Sequence, residues 1–112
     1  MACPIEVTVN LLGDKWKVLI VRNLLLRGTQ RFGELNRGID GVIQKMLTQQ
    51  LRQLESDGLV SRKIYPEVPP RVEYSLTELG HTLNPIFEAM HDWGAGYLER
   101  RGRGQSSPSC AG

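Results

Sequence analysis

The chain has 112 residues, a formal net charge of +2, 40% apolar residues and 23% charged ones, the balance of one folded domain rather than a fibrous or disordered chain. No apolar run approaches the ~20 residues of a membrane span, and the N-terminus lacks the basic-then-apolar pattern of a secretory leader. Two cysteines, Cys3 and Cys110, are too few for a disulfide scaffold and lack the spacing of a zinc site, so a reducing cytoplasm is the expected compartment.

In chain order, Pro4 opens a short helix carrying Ile5, Val9, Leu11 and Leu12, broken at Gly13. Asp14 is placed to cap a second helix over residues 15–26, because its carboxylate can accept from free first-turn N–H groups; Gly28 ends it. The apolar density of that helix (Trp16, Val18, Leu19, Ile20, Val21, Leu24, Leu25, Leu26) predicts burial on more than one side. Residues 29–37 read as a third helix with Phe32, Leu35 and then Ile39 inward, followed by a turn at Gly38-Ile39-Asp40-Gly41. A fourth helix is predicted over about residues 42–56 and stopped by Asp57-Gly58. At ~100° per residue, Ile43, Leu47, Leu51 and Leu54 fall on one arc, and Lys45, Thr48, Gln49, Arg52 and Ser56 on the opposite one.

A two-stranded hairpin follows over residues 59–65 and 71–76, with Pro66, Pro69 and Pro70 in its loop. In its second strand Val72, Tyr74 and Leu76 alternate with Arg71, Glu73 and Ser75. Thr77 is expected to cap one long last helix, with Leu83, Ile86, Phe87, Met90, Trp93 and Tyr97 along its apolar side. Residues 101–112 are Gly/Ser-rich and read as a disordered tail after a domain of residues 1–100.

Charge is unevenly spread. Eleven basic and six acidic residues lie between Asp14 and Arg71, whereas residues 72–99 hold five acids and no Lys or Arg. That pattern suits one surface facing a polyanion and another facing something else; ordinary solvated faces would produce it too. The order of elements is that of a winged helix-turn-helix, mainly α with a small β-hairpin wing. One helix fits the B-DNA major groove and the hairpin beside it reaches the adjacent backbone or minor groove. On this reading Gln44, Lys45, Thr48, Gln49 and Arg52 meet the groove of double-stranded DNA, and Arg31, Lys63 and Arg71 position phosphates.

The stretches Gly13-Asp14-Lys15-Trp16, Arg31-Phe32-Gly33-Glu34-Leu35 and Gln44-Lys45-Met46-Leu47-Thr48-Gln49-Gln50-Leu51-Arg52-Gln53-Leu54-Glu55 also resemble the HxlR family of bacterial transcriptional regulators, relatives of the MarR regulators. Asp57-Gly58-Leu59-Val60, the run from Tyr65 to Thr77 and Trp93 continue the likeness. The resemblance implies a homodimeric winged-helix repressor or activator, with the first and last helices making the dimer. A pseudo-palindromic operator with half-sites about one helical turn apart would follow. Ile43 stands where the family commonly has Ser and has no capping oxygen, so Asp40 or Gly41 is expected to take over and the helix start to shift or fray.

Cys3 resembles the N-terminal Cys-Pro pair that acts as a redox or electrophile sensor in some members. A thiol at a helix start favours its thiolate, the reactive form, although the Glu6 carboxylate is expected to oppose it. The other reading is an inert packing residue. The dimer is expected to use Val9, Leu83, Ile86, Phe87, Met90, Trp93 and Tyr97, and Trp93 with Tyr97 could instead line a small-molecule effector pocket. His81 and His91 lack metal-ligand spacing, and Glu88 with Asp92 has no accompanying nucleophile, so neither metal, cofactor nor enzyme activity is expected. A winged-helix module that binds protein rather than DNA is the alternative; it would tolerate acids on the outer face of the fourth helix.

Overall fold

The computed structural model describes residues 3–102 and divides after His81 into two units. The first contains α1 (Pro4–Leu12), α2 (Lys15–Arg27), β1 (Gln30–Arg31), α3 (Phe32–Gly38), α4 (Gln44–Ser56), β2 (Val60–Tyr65), β3 (Arg71–Leu76) and α5 (Glu78–His81). The second contains α6 (Asn84–Arg100). The fold is mainly helical with a small antiparallel sheet, the winged helix-turn-helix read from the sequence.

The Asp14 carboxylate caps α2 as expected, accepting from the N–H groups of Trp16 (3.0 Å) and Lys17 (3.2 Å). Ile20, Val21 and Leu24 of α2 are fully buried together with Leu35 of α3 and Leu47, Leu51 and Leu54 of α4. Polar side chains, Asn23 and Gln30 among them, join this core unannounced by the apolar pattern. Asn23 donates from Nδ2 to the Gly38 carbonyl (3.3 Å), and Gln30 donates from Nε2 to the Asn23 carbonyl (3.2 Å). Burying a polar group costs free energy unless it is hydrogen-bonded, and these bonds tie α2 to the end of α3 and to β1. Leu26, expected inside, is exposed.

Several expectations need correction. The third helix starts at Phe32, because Gln30 and Arg31 instead pair with Tyr74 and Glu73 of β3. The sheet is therefore three-stranded, in the order β1-β3-β2, rather than a two-stranded hairpin. The Glu34 carboxylate accepts from the Arg31 backbone N–H (2.8 Å) and fixes that strand-to-helix junction. In α4, Ile43 is the N-cap residue, 63% exposed, and no side chain caps the helix; neither Asp40 nor Gly41 takes over. Ile43 leaves the inner stripe because its backbone is extended (φ −94°, ψ 156°) and so off the helical step; Gln50 is the additional buried residue.

In β3, residues 71–75 are all half-buried rather than alternating. The strand lies between two others, and its outward residues have neighbours: Arg71 pairs with Glu73 (3.8 Å), and Ser75 Oγ accepts from Thr29 Oγ1 (3.2 Å). The long last helix is two helices. Thr77 Oγ1 accepts from the Gly80 N–H (3.0 Å), but α5 ends at His81 and Leu83 precedes α6. Pro85 explains the break: it has no N–H for the His81 carbonyl, and its ring clashes there, whereas the first helical turn tolerates it. Arg101 and Gly102, read as the start of a disordered tail, form a turn on the end of α6; the rest of that expected tail, residues 103–112 with Cys110, lies outside the described residues.

Gly80 sets how closely α5 approaches the sheet. A Cβ at this position would collide with the Leu59 carbonyl, which already accepts from the Thr77 N–H (3.0 Å). Gly80→Ala is expected to destabilise the fold by about 1–3 kcal/mol, the usual cost of overpacking. Thermal unfolding checks this: an unchanged Tm would mean that α5 moves off the sheet without cost.

Candidate nucleic-acid interface

With Leu47, Leu51 and Leu54 buried, the helical step turns Gln44, Lys45, Gln49 and Arg52 to solvent and leaves Thr48 half-buried beside them. These five residues line one shallow, open groove along α4, together with Gln53. Gln53 did not figure among the candidate residues, yet it lies one helical turn beyond Gln49, so the periodicity could have found it. No carboxylate lines this groove; its polar groups are amides, a hydroxyl, an ammonium and a guanidinium.

The wing carries a second cluster. Two cations lie over the Tyr65 ring, the Lys63 ammonium 4.9 Å from its centroid and the Arg71 guanidinium 3.9 Å away. Arg71 also pairs with Glu67 (3.1 Å) and Glu73 (3.8 Å), so two carboxylates face its charge, while Lys63 remains exposed. Arg62, absent from the sequence candidates, pairs with Glu55 at 3.3 Å and links β2 to the last turn of α4. Only the folded chain shows that pairing, since the two residues belong to different elements. Burial, foremost, raises the Tyr74 phenol above its ordinary pKa, so it stays neutral at physiological pH. Arg31 is exposed on β1, opposite Glu73.

Cys3 is the N-cap residue of α1, exposed and free. The backbone N–H of Glu6, foremost, and that of Ile5 hold its thiol below the ordinary value. The influence of Glu6 on the sulfur comes from its backbone N–H and lowers the pKa, in place of the expected opposition from its carboxylate. Among the other candidates, Val9 is 60% exposed on α1. In the second unit Ile86, Met90, Trp93 and Tyr97 are exposed on α6, Phe87 is half-buried, and Leu83 is half-buried just before it. Trp93 and Tyr97 stack with centroids 5.5 Å apart and an interplanar angle of 12°. Pro85, Ile86, Ala89, Met90 and Trp93 form an open apolar hollow. Among the described residues no group of three or more His, Cys, Asp or Glu is arranged to hold a metal ion, and no helix is long and apolar enough to cross a membrane.

A polar-faced helix buried on one side and flanked by a three-stranded wing defines a winged helix-turn-helix regulator of transcription. The HxlR-like helix-turn-helix family matches residues 11–102, and the chain belongs to that family. It is 49% identical over 107 residues to an uncharacterized HTH-type transcriptional regulator of Methanothermobacter thermautotrophicus, covering 95% of this chain and 81% of that one. Among solved structures it is similar to the redox regulator HypR. The reduced form has a TM-score of 0.79 and 47% identity over 84% of this chain and 92% of that one. The oxidized form has a TM-score of 0.77 and 48% identity over 84% and 96%. The protein is a transcriptional regulator of the HxlR type and not an enzyme.

The lowered thiol pKa has a measurable consequence. A depressed pKa keeps the thiolate populated to lower pH, and the thiolate is the form that is alkylated. In a Cys110→Ser background, the iodoacetamide rate of Cys3 is expected to reach half its maximum below the ~8.5 of a free cysteine. A midpoint at or above that value would remove the influence of the α1 N–H groups.

Proposed function

We propose that this regulator acts as a homodimer on a pseudo-palindromic duplex operator, laying one α4 in each of two successive major grooves. The observation that carries the reading is the outward face of α4, where amides and cations line a groove without a carboxylate. Gln44 and Gln49 have the chemistry to pair with adenine, Lys45 and Arg52 with guanine, and the Thr48 methyl with a thymine methyl. Lys63 and Arg31 supply phosphate contacts. Arg71 reaches a phosphate only by exchanging Glu67 or Glu73 for it. Glu67 is the more readily exchanged of the two, because it is exposed whereas Glu73 is half-buried. The site of action on this reading is the cytoplasm, where the protein represses or activates transcription.

The second element of the reading is a response to oxidants through Cys3. Its exposure, its lowered pKa and the likeness to the redox regulator HypR support this. Diamide would take two hydrogens from a pair of thiols, Cys3 with its counterpart on the second copy or with a small thiol, leaving one S–S bond and the hydrazine.

Binding of purified protein to duplexes selected from the DNA around its own gene tests both elements. Affinity should fall steeply with salt, as phosphate contacts release counterions. Lys45→Ala and Arg52→Ala should each weaken binding by ~1–3 kcal/mol and leave Tm unchanged, since both side chains are exposed. Diamide should alter the affinity of the wild type but not of Cys3→Ser. Salt-insensitive binding, or alanine variants that bind normally, would overturn this placement of the contacts, and failure to bind any duplex would favour a protein-binding module instead.

Assembly has its own test. Isolated apolar residues on a surface are ordinary, but Ile86, Met90, Trp93 and Tyr97 form a continuous exposed stripe on α6. Sedimentation at micromolar concentration should show a dimer. Met90→Asp should dissociate it, because an unpaired charge would be buried in the interface. A monomeric wild type would end this reading.

A further inference from the structure

Ile43 is an exposed apolar residue at the N-terminal end of α4. It immediately precedes Gln44 and Lys45, it is 63% exposed, and no hydrogen bond from its side chain serves the helix it begins. Its backbone is nevertheless fixed: the carbonyl accepts from the Leu47 N–H at 3.0 Å, and the extended φ of −94° suits a β-branched residue. The position thus forgoes a capping oxygen and holds a rigid aliphatic group out to solvent at the leading end of the helix. Resting on the proposed use of α4 as a groove-reading helix, this end is the one that comes closest to base edges.

We infer that Ile43 is a specificity-determining residue that packs against the 5-methyl group of a thymine in each operator half-site. The reason is chemical. The major-groove floor presents hydrogen-bond donors and acceptors at every base pair, and the thymine methyl is its apolar group. Gln44, Lys45, Gln49 and Arg52 match the polar positions; an isoleucine does not, and beside a bare amide or carbonyl it would leave that group unpaired. The side chain therefore rewards thymine and disfavours the other bases at the position it faces.

The test uses the full chain and an operator obtained by selection from random duplexes. Each thymine of a half-site is replaced singly by deoxyuridine, which keeps all hydrogen-bonding groups and removes only the methyl. One position is expected to lose about fourfold in wild-type affinity, the worth of one buried methyl group. The same substitution should have no effect on Ile43→Ala, whose fold is intact because the side chain is exposed. Thr48→Ser, which lacks a methyl but keeps its hydroxyl, should retain the deoxyuridine effect at that position. The inference is overturned if no thymine is sensitive, if the sensitivity persists in Ile43→Ala, or if it disappears only in Thr48→Ser. If selection yields no preferred duplex, the DNA-reading role of α4 itself fails and this inference with it.

Discussion

The burial of one side of α4 governs the rest of the first unit. Leu47, Leu51 and Leu54 are removed from water together with Ile20, Val21 and Leu24 of α2. Each such side chain contributes on the order of 1.5–3 kcal/mol when fully buried. A helix held on one stripe has no freedom of rotation left, so Gln44, Lys45, Gln49 and Arg52 must point outward. The chemistry of the outer face is therefore positioned by leucines that never touch a partner. Two of the polar insertions in the core, Asn23 and Gln30, add direction to this non-directional packing: their amides fix where α3 and β1 meet α2.

The wing depends on a different balance. Its positive charges are largely engaged: Arg71 by Glu67 and Glu73 and by the Tyr65 face, Arg62 by Glu55. Such pairs add little stability in water, but they hold the side chains in defined places and keep a basic surface from repelling itself. The Glu55–Arg62 pair spans the end of α4 and the start of the wing, so the two parts of the proposed DNA-facing surface are joined by charge as well as by chain. Gly80 permits the close seating of α5 on the far end of the same strands.

The sequence by itself determined the number and order of most elements, the caps at Asp14 and Thr77, and the outward set on α4. It could do so because each is a short-range matter: helical period, capping oxygens and breakers act within a few residues. The family likeness was legible for the same reason, since its motifs sit at those junctions. Tertiary structure alone decided what depends on distant residues. β1 exists because Gln30 and Arg31 find Tyr74 and Glu73 more than forty positions away, and no local pattern in two residues announces a strand. Arg71 reads as a free cation until the fold brings Glu73 and Tyr65 against it. Ile43 counts as core by periodicity, yet the backbone leaves the helical path one residue before α4 begins and turns it to solvent. The break at Pro85 was local and could have been read from the ring's missing N–H; the apolar stripe on both sides concealed it. The thiol of Cys3 shows the distinction most directly: the sequence placed it beside a carboxylate, and the fold placed it at a helix start, where the backbone N–H groups of Glu6 and Ile5 lower its pKa.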